Sequence, residues 1–185
     1  MSIIQYSAGE PHWLPNIRQV PSPNFNQRPA GAEVSLLVIH NISLPAGVFG
    51  SGCVEQLFTN CLDCNAHTSF DSLRGVEVSA HLFVDRDGLI TQFVPLNYRA
   101  WHAGESSFEG RPNCNDYSIG IELEGEDNCP YTEVQYSALQ ALTRQIRDHY
   151  PLISRKNILG HSDIAPVRKT DPGPAFDWGY YINSL

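Results

Sequence analysis

A formal net charge of −8, from 20 acidic against 12 basic side chains, argues against nucleic acid or an anionic membrane as partner. At 185 residues the chain is long enough for one domain without staples, and an odd count of 5 cysteines fits reduced thiols better than a disulfide framework. No basic start followed by an apolar run marks a signal peptide, and no stretch nears the roughly 18 apolar residues of a membrane span, so the expectation is a cytoplasmic protein with no membrane partner.

Residues 1–33 contain Pro11, Pro15, Pro21, Pro23 and Pro29 and little periodicity, which predicts an extended arm with a short helix near 16–20. The domain proper is expected over 34–185. Val34 to His40 is a nearly unbroken apolar run, as in a central strand covered on both faces. It delivers His40 and Asn41 to a strand's carboxyl end, where α/β proteins build sites. On its own, His40 reads more readily as a hydrogen-bonded core histidine than as a ligand.

Residues 53–60 suit a short helix, and 61–79 read as a long surface excursion. Cys61 and Cys64 form a C-x-x-C, but neither a second pair nor a βαβ context accompanies it. Residues 80–85 and 89–94 are strand-like and flank Arg86-Asp87-Gly88, a hairpin signal. Trp101-His102-Ala103-Gly104 follows in a loop. From Tyr117 to Glu124 the chain alternates, with Ile119, Ile121 and Leu123 on one face and Ser118, Gly120, Glu122 and Glu124 on the other. That second face carries two carboxylates. Thr132 and Gln135 resemble a capping box, and Leu139, Leu142 and Ile146 keep helical spacing until Tyr150-Pro151.

Residues 159–174 hold His161, Lys169 and Asp171, while Pro166, Pro172 and Pro174 argue against a helix. Asp171 precedes a proline, so the segment around it is biased to extended geometry, in which Lys169 and Asp171 face the same way. A nitrogen ligand, a carboxylate and a cation suggest a metal with an electrophile-stabilising partner. A surface loop with Asp171 as a cap is the competing reading. A last short helix is expected over 177–185. The order predicts an α/β single domain: a mixed central sheet flanked by helices.

Several blocks are specific in combination: VPSP near residue 20, LLVIHNISLP at 36–45, SAH at 79–81, RAWHAG at 99–104, CNDYSIGIELEG at 114–125 and GHSDIAPVRKTDPGP at 160–174. With them the sequence resembles the zinc-dependent N-acetylmuramoyl-L-alanine amidases, whose fold is shared with the peptidoglycan recognition proteins. The resemblance runs from about residue 20 to 178 and is weakest over 53–80.

The resemblance implies His40, His161 and Asp171 as ligands of Zn2+, Glu122 as general base and Lys169 as the group stabilising the transition state. Three protein donors leave a fourth position open, as in catalytic rather than structural zinc sites. Asp171 in place of a third neutral histidine makes the centre less positive, so its water is less acidified and a separate base is more useful. The implied substrate is a small soluble anhydromuropeptide, cut between N-acetylmuramic acid and L-alanine during cell-wall recycling by a monomeric enzyme. Trp101 is a candidate to stack on the sugar, with Asn41 and His102 as polar substrate contacts. A non-catalytic muropeptide sensor and an exported autolysin on the same fold are the alternatives.

Overall fold

Two seven-residue strands, Leu36–Ile42 and Ser118–Glu124, lie parallel and side by side at the middle of a six-stranded sheet. The structure is a computed structural model that describes residues 10–185. In chain order the strands are β1 (Arg18–Gln19), β2 (Phe25–Asn26), β3 (Leu36–Ile42), β4 (Leu82–Val84), β5 (Ile90–Gln92), β6 (Arg99–Ala100), β7 (Ser107–Phe108), β8 (Arg111–Pro112), β9 (Ser118–Glu124) and β10 (Ile158–Gly160). The α-helices are α1 (Cys53–Phe58), α2 (Glu133–His149), α3 (His161–Ile164) and α4 (Trp178–Asn183). The sheet order is β1-β5-β4-β9-β3-β10, with β4 and β5 antiparallel and the other neighbours parallel. This is the mixed α/β architecture expected.

Alternation along β3 and β9 divides the molecule. Leu37, Ile39, Ile119, Ile121 and Leu123 pack against Leu139, Leu142 and Ile146 of α2 and Tyr181 of α4. Each such side chain contributes about 1.5–3 kcal/mol by burial. Thr132 closes the start of α2 with both bonds of a capping box, its hydroxyl accepting from the Gln135 amide at 3.1 Å. The opposite face of β3, Leu36 and Val38, packs on Ala103, Cys114, Tyr117 and Ile164. His40 continues that second face, so strand geometry points it away from the helix-backed core.

Two expectations are corrected. The helix near 16–20 is absent: Asn16 takes a left-handed φ of 61° and Arg18–Gln19 instead forms β1, an edge strand paired with Thr91 and Gln92. A residue at positive φ cannot stand inside a right-handed helix, and the sheet edge supplies the bonds a helix would have made. Within the proline-rich segment, His161–Ile164 forms one helical turn, because its prolines begin only at Pro166 and the Asp163 carboxylate accepts from the Gly160 amide at 2.8 Å. His12 is 4% exposed and bonds the Tyr150 hydroxyl at 2.8 Å.

Candidate active site

Parallel pairing puts His40 directly opposite Glu122, and β10 beside β3 delivers His161 to the same end of the sheet. The loop after α3 then returns, tied by a Ser162 amide bond to the Asp171 carbonyl at 3.0 Å. His161, Lys169 and Asp171 therefore line one cavity of about 350 Å3 with Asn41, Trp101, His102 and Glu122. Every residue singled out for the site lies on this cavity except His40, which is buried behind it with its ring against His161.

Three donor atoms converge there. His40 Nδ1 and His161 Nδ1 are 2.9 Å apart, and each is 3.1 Å from Asp171 Oδ2. A tetrahedral zinc with ligands at about 2.0–2.1 Å sets its donors roughly 3.3 Å apart, so the triangle has the size of one tetrahedral face. Its protons fit too. His161 Nε2 donates to the Ala103 carbonyl at 3.0 Å, which leaves Nδ1 as the lone-pair nitrogen. His40 Nε2 lies 2.9 Å from His102 Nδ1, and His102 Nε2 lies 3.0 Å from the Ser118 hydroxyl. With His40 protonated at Nε2 toward His102, two lone pairs and a carboxylate oxygen face one point and repel one another unless a cation sits between them. Burial also lowers His40 to about 4, so it is neutral near pH 7 as a ligand must be.

The two carboxylates of β9 have different environments. Glu124 is buried and satisfied, accepting from the Gly50 amide at 2.6 Å and the Arg86 amide at 3.2 Å, and so ties two loops to the sheet. Glu122 keeps a buried Oε2 with no hydrogen-bond partner among the described residues. Burial, reinforced by Asp171, raises its pKa well above the usual carboxylate range, while Lys169 pulls it down. A raised folded-state pKa means stability is lost as pH rises through it. Glu122→Gln in chelator-treated protein should therefore raise Tm, by a margin that grows from pH 5 to pH 8. Differential scanning fluorimetry across that range checks it; a margin that shrinks with pH contradicts the buried charge.

Asn41 donates to Asp127 Oδ1 at 2.9 Å and to the Pro172 carbonyl at 3.1 Å, which also accepts from the Tyr131 hydroxyl at 2.8 Å. Trp101 is held by its indole N–H to Asn26 Oδ1 at 2.9 Å. Sequence reasoning missed Ser118, Gly120, Tyr131 and the Ala103 carbonyl. Of these only Gly120 carried a signal, since an isolated glycine in a strand marks a close approach.

The family model described as N-acetylmuramoyl-L-alanine amidase matches residues 30–174. The 1,6-anhydro-N-acetylmuramyl-L-alanine amidase AmpD of Escherichia coli K12 is 54% identical over 172 residues, covering 93% of each chain. A crystal structure of a selenomethionine AmpD derivative superposes with a TM-score of 0.91 at 51% identity, covering 94% of this chain and 96% of that one. AmpDh3 of Pseudomonas aeruginosa, solved in complex with an anhydromuramic pentapeptide, is 31% identical with a TM-score of 0.66, over 84% of this chain and 61% of that one.

Proposed function

The chain belongs to the N-acetylmuramoyl-L-alanine amidase family, and on that premise we propose that His40, His161 and Asp171 hold a zinc ion beside Glu122 and Lys169. It is an enzyme of peptidoglycan recycling that hydrolyses the amide between (1,6-anhydro)-N-acetylmuramic acid and L-alanine of muropeptides. Of the described residues, His40, His161 and Asp171 form the one group of three or more potential ligand side chains close enough to hold a metal. The observation that carries the proposal is the convergence of their three donor atoms at 2.9–3.1 Å.

Bound there, zinc would acidify a water and polarise a carbonyl. Glu122 takes the proton of the attacking water and passes it to the leaving nitrogen of L-alanine. A carboxylate whose burial raises its pKa, beside a site for a cation that lowers it again, is tuned for both transfers. Lys169, on the same cavity wall, donates to the carbonyl oxygen as negative charge develops on it. Lys169→Met should lower kcat by about 100- to 1000-fold with KM little changed, as expected for a contact made in the transition state. Steady-state kinetics check it, and a change confined to KM would assign Lys169 to ground-state binding instead.

Trp101 supplies an apolar face for the sugar, and Asn41, with both amide protons used inside the protein, keeps its carbonyl oxygen for substrate. The substrate is a soluble anhydromuropeptide, supported by the names of the similar proteins, and the enzyme works in the cytoplasm as a monomer. No helix among the described residues is long and apolar enough to cross a membrane. Mass spectrometry of anhydromuropeptide incubated with the protein tests the reading: separate sugar and peptide masses support it, and unchanged substrate with zinc present overturns it.

A further inference from the structure

We propose that His102 is a positioning residue of the metal centre, which fixes the tautomer of His40 through a buried chain that ends on Ser118 and is seated on Gly120. The inference rests on the reading of His40, His161 and Asp171 as ligands. It replaces a substrate contact for His102, because both of that residue's ring nitrogens are taken up inside the protein.

The chain runs from His40 Nε2 to His102 Nδ1 at 2.9 Å, and from His102 Nε2 to Ser118 Oγ at 3.0 Å. The His40 and His102 rings meet at 88° with centroids 5.0 Å apart. Each neutral imidazole carries one proton, so the chain has two possible directions. In one, His40 Nε2–H donates to His102, and His102 Nε2–H donates to Ser118, leaving His40 Nδ1 as a free lone pair. In the other, Ser118 donates to His102, His102 donates from Nδ1, and His40 must carry its proton on Nδ1. Only the first direction lets His40 Nδ1 join His161 Nδ1 and Asp171 Oδ2 as a donor, so the tautomer of His102 decides whether His40 can ligate.

Gly120 explains how the ring gets there. A Cβ at that position would lie 2.5 Å from both Cγ and Nδ1 of His102, a distance real contacts never reach. Gly120 stands between Ser118 and Glu122 on the same face of β9, so the strand carries the end of the chain, its seat and the catalytic base at successive alternate positions. The backbone of the segment is pinned as well: the His102 and Ala103 amides both donate to Asn115 Oδ1, at 3.1 and 2.8 Å. The Ala103 carbonyl in turn accepts from His161 Nε2. Two adjacent residues thus orient both histidines, one through a side chain and the other through a carbonyl.

The test measures zinc affinity by chelator competition and ring protonation by long-range 1H–15N NMR, both on the full chain. The zinc-loaded parent should show His40, His102 and His161 all protonated at Nε2. His102→Phe should bind zinc about 10- to 100-fold more weakly, the usual cost of an outer partner, and His102→Gln, which keeps an acceptor and a donor, should recover most of the loss. Gly120→Ala should weaken zinc similarly with every ligand still present. A parent His102 protonated at Nδ1, or a folded His102→Phe protein binding zinc within threefold of the parent, overturns the inference while leaving the metal site standing. A parent that binds no zinc overturns both, so the two failures are told apart.

Discussion

Glu122→Gln should lower kcat by about 100- to 10,000-fold, the range general acid–base catalysis supplies, while bound zinc stays at one per chain. Glutamine keeps the shape of the side chain but cannot take a proton from water. The proposed base and the proposed ligands differ in geometry: the donor atoms of His40, His161 and Asp171 are 2.9–3.1 Å apart, whereas Glu122 Oε2, on the facing strand, is buried without a partner among the described residues. An orphaned buried carboxylate costs stability, and such a cost persists where function needs it. The same substitution should therefore separate the two properties, raising Tm in the chelated protein while lowering kcat. Kinetics together with metal analysis check the first half. A Glu122→Gln protein that turns over near the parent rate removes Glu122 from the reaction.

The second large effect is expected at a ligand. His161→Ala should reduce zinc occupancy at micromolar protein to a small fraction of one per chain, because two donors replace three. The loss in affinity should exceed the roughly 10- to 100-fold expected at His102, since a ligand is lost rather than its orientation. Activity should fall with occupancy and return in part at high added zinc. Elemental analysis after dialysis measures this, and full occupancy in the variant would contradict the assignment. His161 is 3% exposed and bonds the Ala103 carbonyl, so the variant also leaves that carbonyl short of one partner. The Arg168 guanidinium, donating to the same carbonyl at 2.7 Å, keeps it satisfied and favours a folded variant.

Much of the sheet was legible because it obeys local rules. The apolar run of β3 and the alternation of β9 follow from burial on two faces, the Asp-Gly turn between β4 and β5 from conformational preference, and the start of α2 from its capping box. Strand β1 was not legible, because two exposed residues on a sheet edge carry no periodicity and owe their shape to β5. At the site, residue types and strand ends pointed to His40, Glu122, His161, Lys169 and Asp171, and resemblance supplied their roles. The duties of His102 and Glu124 could not be read. Alternation places Ser118, Gly120, Glu122 and Glu124 on one polar face, but whether that face meets water, a loop amide or an imidazole depends on chain segments tens of residues away. Glu124 thus became a buried anchor and Glu122 the exceptional carboxylate, although the sequence treats them alike.

The central claim is that three proton-free donors share one ion that amide hydrolysis requires. Its most direct test is to strip the protein with a chelator, add zinc stepwise, and follow release of the peptide from anhydromuropeptide by mass spectrometry. Cleavage should be absent at the start, rise in proportion to added zinc and level off at one equivalent. Full cleavage by the stripped protein, or none after one equivalent has bound, would contradict the account.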